Sequence, residues 1–499
     1  MRIALQRPPG ISTPWAGKAL LSWRSRMTEE TLGHALTDKK GMGGVTAQDG
    51  FDYQMWDGLR RVPGWLANPV FEHLLFEGLE DYEARFFAPH APEHHVLERY
   101  QAKGNDLGPA DIREILEGFH AFDERFPQRA RLHALVTPRL PPTLQWLGKH
   151  TDRVRRARPF YSPFSDIAAV SDAELNRRIS GHFDEPLASF IANAVEFSEQ
   201  NIPDLDGATR AFDTALGEAF PALDPRSSQV KAAFNALIEL ARGNRGRPLP
   251  RNALIDAIEA GLGERLPQPA CFPLLMRSDR NESNELALEI DGSPFSGGSA
   301  RFPQTGQWQD DLVSPLRQAA VWLRRNDQSR IAVQGSYRLT SAMVLGQSLR
   351  AAHGFEIEIP TREGVWRTDD HGSAQDASAD WKIVMPSTLA NGELTVCIGV
   401  IRDPSAAISQ TAGTSHDAML VAHLPKAITS GREAQNGVAL IKDSVTKTVT
   451  SLNPQRVRLY IAGPAAFAVA LGHRWNAMPP TQLHEYLADE QRYIPTASI

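Results

Sequence analysis

Asp81, Gln101 and Lys103 are the residues whose types and spacing best suit a chemical task. The segment 77–81, Glu-Gly-Leu-Glu-Asp, reads as a turn feeding a strand, and 97–103 reads as a second strand that ends at Gly104. Side chains two apart on a strand share a face, so Gln101 and Lys103 project together. If the two strands pair, Asp81 lies on that same surface. A carboxylate, an amide oxygen and an ammonium converging on one point are the equipment of metal-assisted phosphodiester cleavage. Mg2+ takes oxygen ligands, keeps several waters and is often held by one or two carboxylates. An ammonium beside it steadies the attacking water or the charge developing on phosphorus. Glu80 and Glu83 rival Asp81, because a one-residue shift of register would exchange them. The plain alternative is a solvated strand edge, where acids and Gln-x-Lys triplets are common.

The elements that must position these residues are legible in outline. A helix is expected over 47–60, then the two strands, then a helix over 109–123 with Ile112, Ile115, Leu116 and Phe119 at helical spacing. A strand over 132–137 stops at Pro138, and helices are expected over 172–180, 185–198, 207–218 and 227–242. Arg139, Lys149, Arg153, Arg155, Arg156 and Arg158 form a local basic stretch, read either as a solvated helix face or as a contact to DNA phosphates. The Gly-, Pro- and Arg-rich run 242–251 reads as a junction, followed by one more helix over 252–263.

The chain has 499 residues, enough for two or three domains with substantial cores. Its net charge of −6 and pI near 6.2 give no global basic field, so polyanion binding rests on local patches. Cys271 and Cys397 are the two cysteines. They stand far apart with no zinc-ligand spacing, which argues against a disulfide framework and for a reducing, cytoplasmic setting. The apolar run 460–471 is too short to span a membrane and carries Gly463-Pro464. Residues 1–26 carry five basic residues, no acid and no signal-peptide core, and read as a disordered basic arm or an upstream start. His90, His94 and His95 crowd the loop between the two site strands without a zinc motif. Ser415-His416-Asp417 is no triad, because triads converge in space rather than along the chain.

In the carboxyl-terminal half, 330–334, 394–400 and 456–461 each read as a strand running through a turn into a helix. Repeated crossovers of this kind imply a largely parallel sheet covered by helices. Ligands in such sheets sit beyond the carboxyl ends of the strands, where helix N-termini offer N–H groups to anions. None of the turns carries a Walker A or G-x-G-x-x-G sequence. Ser336, Arg338 and Arg402 stand at these turns and are candidate phosphate contacts. Trp366 with Arg367 could stack on a base, and the helix start after Gly463-Pro464 could face the ligand.

Two family resemblances organise these readings. GGVTAQDGFDYQ at 43–54, the acid-rich turn 77–83 and Gln101-Ala-Lys103 follow in the order seen in the PD-(D/E)xK nuclease superfamily, in the branch where glutamine replaces the acid before x-Lys. RLTSAMVLGQSL at 338–349, Trp366, CIGVIRDP at 397–404, YIAGPAAFAVALGHRWN at 460–476 and the tail LHEY…YIPTASI resemble the SAVED domain. Together they resemble the effector endonucleases of CBASS anti-phage defence. The implied architecture is α/β throughout: a restriction-endonuclease-like core with a helical extension at 27–243, a linker and connecting helix at 244–280, and a SAVED domain of two fused CARF-like Rossmann units at 281–499. The resemblance implies Mg2+ (or Mn2+) held by Asp81 and Gln101, with Glu77 as a further or water-mediated ligand. It also implies Lys103 as the water-positioning group, with Gln54 at the edge of the site. The implied partners are double-stranded DNA, a cyclic oligonucleotide made by a CD-NTase, and further copies of the chain assembled on ligand binding, with no membrane. Two other readings stay open: a sensor whose amino-terminal half binds DNA without cutting it, and a sensor fused to another effector activity such as NAD hydrolysis or proteolysis.

Overall fold

The computed structural model describes residues 39–157, 166–202, 204–277, 286–295 and 302–499. The basic arm 1–26 and Arg158 lie outside these residues. Helix α1 (Lys39–Ala67) is longer than the expected 47–60. Met55, Leu59, Val62 and Leu66 fall three or four apart along it and are all buried, so one stripe is committed to the core.

The stripe lies on a sheet whose strand order is β5-β4-β3-β2-β1-β6. Strands β1 (Phe71–Phe76), β2 (Tyr82–Phe87) and β3 (His95–Ala102) form an antiparallel meander. After α2 (Pro109–Arg125), β4 (Ala130–Thr137) joins β3 in parallel. Helices α3 (Gln145–Ala157), α4 (Asp166–Ser180) and α5 (Glu185–Ala194) cover the opposite face with α2, burying Ile112, Leu116, Leu147, Ile179 and Ile191. The helix expected over 185–198 ends at Ala194, and Val195–Glu199 is β5, parallel to β4. The reason is local: Val-Glu-Phe-Ser-Glu alternates with period two, and its β-branched and aromatic members fit a pleated surface better than a helix.

Helices α6 (Leu205–Ala219), α7 (Ser227–Gly243) and α8 (Arg251–Leu262) pack on the α1 side. The segment expected to be a linker from 244 belongs to this body. Leu249–Pro250 forms β6 against β1, and the Arg251 guanidinium donates to the carbonyls of Leu66 (2.5 Å) and Asn68 (2.8 Å). The second body also starts earlier than 281, because β7 (Phe272–Arg277) is an interior strand of its first sheet, ordered β11-β10-β9-β7-β8.

That sheet holds β8 (Leu288–Asp291), β9 (Arg330–Gly335) and β10 (Glu356–Thr361), all parallel to their neighbours, with β11 (Gly364–Arg367) returning antiparallel at its edge. A helical run through 305–313 enters α9 (Ser314–Arg325), and α10 (Leu339–Ser348) follows β9. The short α11 (Ala374–Ala377) leads to a third sheet, ordered β12-β14-β13-β15-β16-β17. Its strands are β12 (Lys382–Val384), β13 (Glu393–Val400), β14 (Met419–Leu424), β15 (Arg456–Ala462), β16 (Thr481–Leu487) and β17 (Arg492–Ser498), with α12 (Ser405–Ala412), α13 (Gly431–Leu452) and α14 (Ala465–Arg474) as crossovers. All three expected strand–turn–helix units are present, as β9–α10, β13–α12 and β15–α14. The two sheets meet through α10 and α14, whose backbones touch. A Cβ on Gly346 would lie 2.0 Å from the Val469 carbonyl oxygen, and one on Gly472 would lie 2.3 Å from that of Met343.

The amino-terminal body joins the rest through a compact contact. Trp322 of α9 stacks on Phe87 at the end of β2 with ring centroids 4.7 Å apart, and its indole N–H donates to Glu72 at 3.0 Å. The Asp291 N–H donates to His90 Nε2 at 3.0 Å. Among the described residues no helix is long and apolar enough to cross a membrane.

Candidate functional site

The register of β2 on β3 pairs Glu83 with Arg99 and Tyr82 with Tyr100, and one further step sets Asp81 opposite Gln101. The Asp81 carboxylate closes this end of the ladder. Its Oδ2 accepts the Ala102 N–H at 2.7 Å and the Lys103 ammonium at 3.4 Å. The Gln54 amide reaches from α1 to the Ala102 carbonyl at 3.3 Å and bonds the Asp81 side chain. Burial pushes the Asp81 carboxyl above its ordinary range, and the Lys103 charge and the Ala102 N–H only partly offset that. The structure thus brings Asp81 together with Lys103, as expected, and with Gln54, which was expected only at the edge of the site; Gln101, the third residue expected to converge, is placed only as the cross-strand neighbour of the acid.

The rivals are engaged elsewhere. Glu80 and Glu83 both pair with the buried Arg99, at 2.8 and 3.1 Å, and Arg99 lies on the Phe122 ring at 3.5 Å. Burial lifts Glu80 to about 7 despite that partner. Glu77 is exposed in a left-handed backbone conformation (φ 56°), and its N–H donates to the Asp81 carbonyl at 3.0 Å, so it shapes the turn. The three loop histidines go to separate partners: His90 to Asp291, His94 to the Pro89 carbonyl and His95 to Arg129. Among the described residues no group of three or more His, Cys, Asp or Glu is placed to hold a metal ion. The hard oxygen donors at this point are those of the Asp81 carboxylate, the donor type that Mg2+ takes.

Beneath the site lies a buried network that the sequence reading missed. Asp57 is fully buried, accepts the Tyr82 hydroxyl, and pairs with Arg60 and Arg61. Burial opposes its charge, but Arg61 and Arg60 overcome this and hold its carboxyl below the usual range. Tyr82 stacks on Tyr100 at 4.7 Å, and the Tyr100 hydroxyl donates to Glu98 at 2.8 Å. The neighbours of Asp81 and Gln101 are thus fixed from below. The spacing Asp57-x-x-Arg60-Arg61 on one helix was the available signal.

A second constellation gathers at the carboxyl ends of β9, β13, β15 and β16. Ser336 is exposed after Gly335, and Arg338 donates to the Phe295 carbonyl at 2.5 Å. Glu485 of β16, 7% exposed, accepts the Thr340 N–H at 3.0 Å and stands 4.0 Å from Arg338. The start of α10, expected to be open to an anion, is thus occupied by a carboxylate. Next to Glu485, Tyr486 lies 5.4 Å under the exposed Arg402, and Gly463 packs its backbone near Val400 below α14. Glu485 and Tyr486, part of the LHEY segment, connect Arg338 to Arg402. Between Val400 and Arg402, Ile401 is 64% exposed with φ 67°. A β-branched residue rarely adopts that backbone, and its strain has no compensating burial.

Trp366 and Arg367 do not join this group. Trp366 is 5% exposed and packs against the start of α13 at Gly431, so it belongs to the core. Arg367 pairs with Glu358 at 3.1 Å on β11, which runs back toward the amino ends of the sheet.

Residues 315–499 match the family model of the SAVED domain, the SMODS-associated and fused to various effectors sensor domain. This part of the chain is a SAVED domain. Its first sheet nevertheless begins at β7, outside the matched span. Over nearly the whole length, the chain is similar to CD-NTase-associated protein 4 of an Acinetobacter species (strain ATCC 27244 / 9458), with 25% identity covering 93% of this chain and 99% of that protein. The same protein of Moraxella osloensis is 25% identical over 93% and 99%. The structure of the Acinetobacter baumannii Cap4 SAVED/CARF-domain containing receptor with the cyclic trinucleotide 2'3'3'-cAAA superposes with a TM-score of 0.72 at 23% identity, covering 90% of this chain and 98% of that one. The likeness takes in the amino-terminal body as well as the SAVED domain, and what it shows is the fold.

Proposed function

We propose that this chain is a cyclic-oligonucleotide-activated, metal-dependent endonuclease that cuts double-stranded DNA in anti-phage defence. The observation that carries the reading is the meeting of Asp81, Lys103 and Gln54 at the end of β3, opposite Gln101. Asp81 and Gln101 would hold Mg2+, with Glu77 contributing directly or through water. The ion, when bound, supplies the positive charge that neutralises the scissile phosphodiester. Lys103 orients the attacking water beside the acid. Gln54 and the Asp57–Tyr82 network keep the strand ends from moving. The exposed Arg139 and Lys149 suit contacts to DNA phosphates.

The activating ligand is proposed to be a cyclic oligonucleotide made by a CD-NTase, as its likeness to a receptor solved with 2'3'3'-cAAA supports. Ser336, Arg338, Arg402 and the α14 start at Gly463 would meet its phosphates. Ile401 would meet a base edge, which gives its strained and exposed placement a use. Ile401→Gly should then raise the thermal midpoint, because glycine takes this backbone freely, and should weaken cyclic trinucleotide binding about tenfold by calorimetry. A lower midpoint with unchanged affinity would make Ile401 a structural residue only.

Trp322 is a physical connection between the halves that bears on the site, since it grips Phe87 at one end of β2 while Asp81 precedes the other end. Self-association on ligand binding belongs to the same reading. Plasmid DNA incubated with Mg2+ and the protein should stay intact until a cyclic trinucleotide is added, and Trp322→Ala should bind that ligand yet lose the activation. Ligand binding without cleavage under any condition would leave a DNA-binding sensor, and consumption of NAD would mark a different effector.

A further inference from the structure

Helix α13, the end of α14 and the 371–372 segment line a half-open cavity of about 440 Å3 that shares no residue with the ligand constellation at the carboxyl ends of the strands. Its walls carry His371, Gln435, Lys442, Arg474 and Asn476. The size is within the range of small-molecule sites. Arg474, at the end of α14, donates to the Thr368 carbonyl at 3.2 Å and to His371 Nδ1 at 2.6 Å. Lys442, midway along α13, donates to the Asn476 carbonyl, which leaves two of its three N–H groups for other acceptors.

Charge makes the cavity unusual. Among the described residues no carboxylate comes within ion-pair distance of Lys442 or Arg474. Asp443, on the wall, pairs instead with Lys447 at 2.7 Å. Burial alone pushes the Lys442 amine down to about 8 and holds the Arg474 guanidinium below its ordinary value. Two partly desolvated cations facing one space with no carboxylate paired to either of them are costly, and the cost is recovered when an anion enters. The backbone is shaped to keep them there. A Cβ on Gly372 would lie 2.1 Å from the Gln435 backbone, so the 371–373 segment lies directly on α13 and fixes His371 at the mouth.

We infer that this cavity is a second anion site, built for a phosphate-bearing small molecule and separate from the ligand constellation at the carboxyl ends. An arginine fork and a lysine point charge from two helices suit a tetrahedral dianion better than a single carboxylate. The inference does not depend on nuclease activity or on messenger binding.

Inorganic pyrophosphate, titrated at constant ionic strength, is the probe. The parent protein should show a saturable rise in thermal midpoint. Lys442→Gln keeps a donor for the Asn476 carbonyl but removes the charge, and should weaken pyrophosphate binding about tenfold, the factor that 1.4 kcal/mol represents. His371→Ala, at an exposed position, guards against a folding defect and should weaken it in the same direction. Acylation of Lys442 at pH 8, followed by mass spectrometry, should slow when pyrophosphate is present. No saturable rise, or equal affinity in the parent and both cavity variants, overturns the inference.

Discussion

Lys103→Ala is expected to abolish DNA cleavage by the ligand-activated protein while leaving its affinity for the cyclic trinucleotide unchanged. The ammonium lies 3.4 Å from the Asp81 carboxylate and about one-third exposed, so it can reach both the acid and an incoming phosphodiester. Removing it deletes the group proposed to orient water, and such losses typically cost a hundredfold to a thousandfold or more in rate. The fold should tolerate the change, because the Asp81 carboxylate keeps the Ala102 N–H and the Gln54 amide as partners. The SAVED domain is untouched, so calorimetry with the trinucleotide separates loss of chemistry from loss of sensing. The same pair sets the pH response. The raised Asp81 carboxyl favours its protonated form in the folded protein. Cleavage needs the ionised form, so activity should rise with pH through that raised value and fail on the acid side earlier than an ordinary carboxylate would dictate. The linked stability term has the opposite sign: it is fully present below the unfolded carboxyl's pKa and lost as pH rises through the folded one. Adding Mg2+ should move the acid limb toward lower pH, since a cation favours the ionised carboxylate.

Gly346→Val should have the largest effect on the sensor. Even a methyl group there would meet the Val469 carbonyl oxygen at 2.0 Å and the His473 nitrogen at 2.7 Å, both backbone atoms that cannot rotate away. Helices α10 and α14 must separate, and they are the seam between the two SAVED sheets. Overpacking of this kind costs about 3 kcal/mol, which lowers the midpoint by about 6–12 °C in a body of this size. Their first turns flank Ser336, Arg338 and Gly463, so cyclic trinucleotide affinity should fall as well. A variant that keeps the parental midpoint and affinity would show that the helix seam does not set the pocket.

Much of this was legible in the residues, for identifiable reasons. The β2–β3 pairing followed from period-two alternation and an acid-rich turn, and the three carboxyl-terminal strand–helix units followed from apolar runs ending at Gly or Pro. Local pattern failed where tertiary contacts decide. Val195–Glu199 is as compatible with the end of a helix as with a strand until β4 is there to pair with it. Leu249–Pro250 looks like a linker until β1 needs an edge partner. Trp366 reads as an aromatic platform along the chain, and only its tertiary contact with Gly431 commits it to the core. The choice of Asp81 over Glu80 and Glu83 depended on Arg99, nineteen and sixteen residues further on and unremarked in the sequence, which claims both glutamates.

The central claim is that Asp81 and Gln101 grip a divalent ion next to Lys103. Anomalous diffraction from crystals soaked in Mn2+ tests it most directly. The account predicts a peak within about 2.5 Å of the Asp81 carboxylate and the Gln101 amide oxygen, lost in Asp81→Asn. A clean map at that position, or a peak held elsewhere that survives Asp81→Asn, would contradict it.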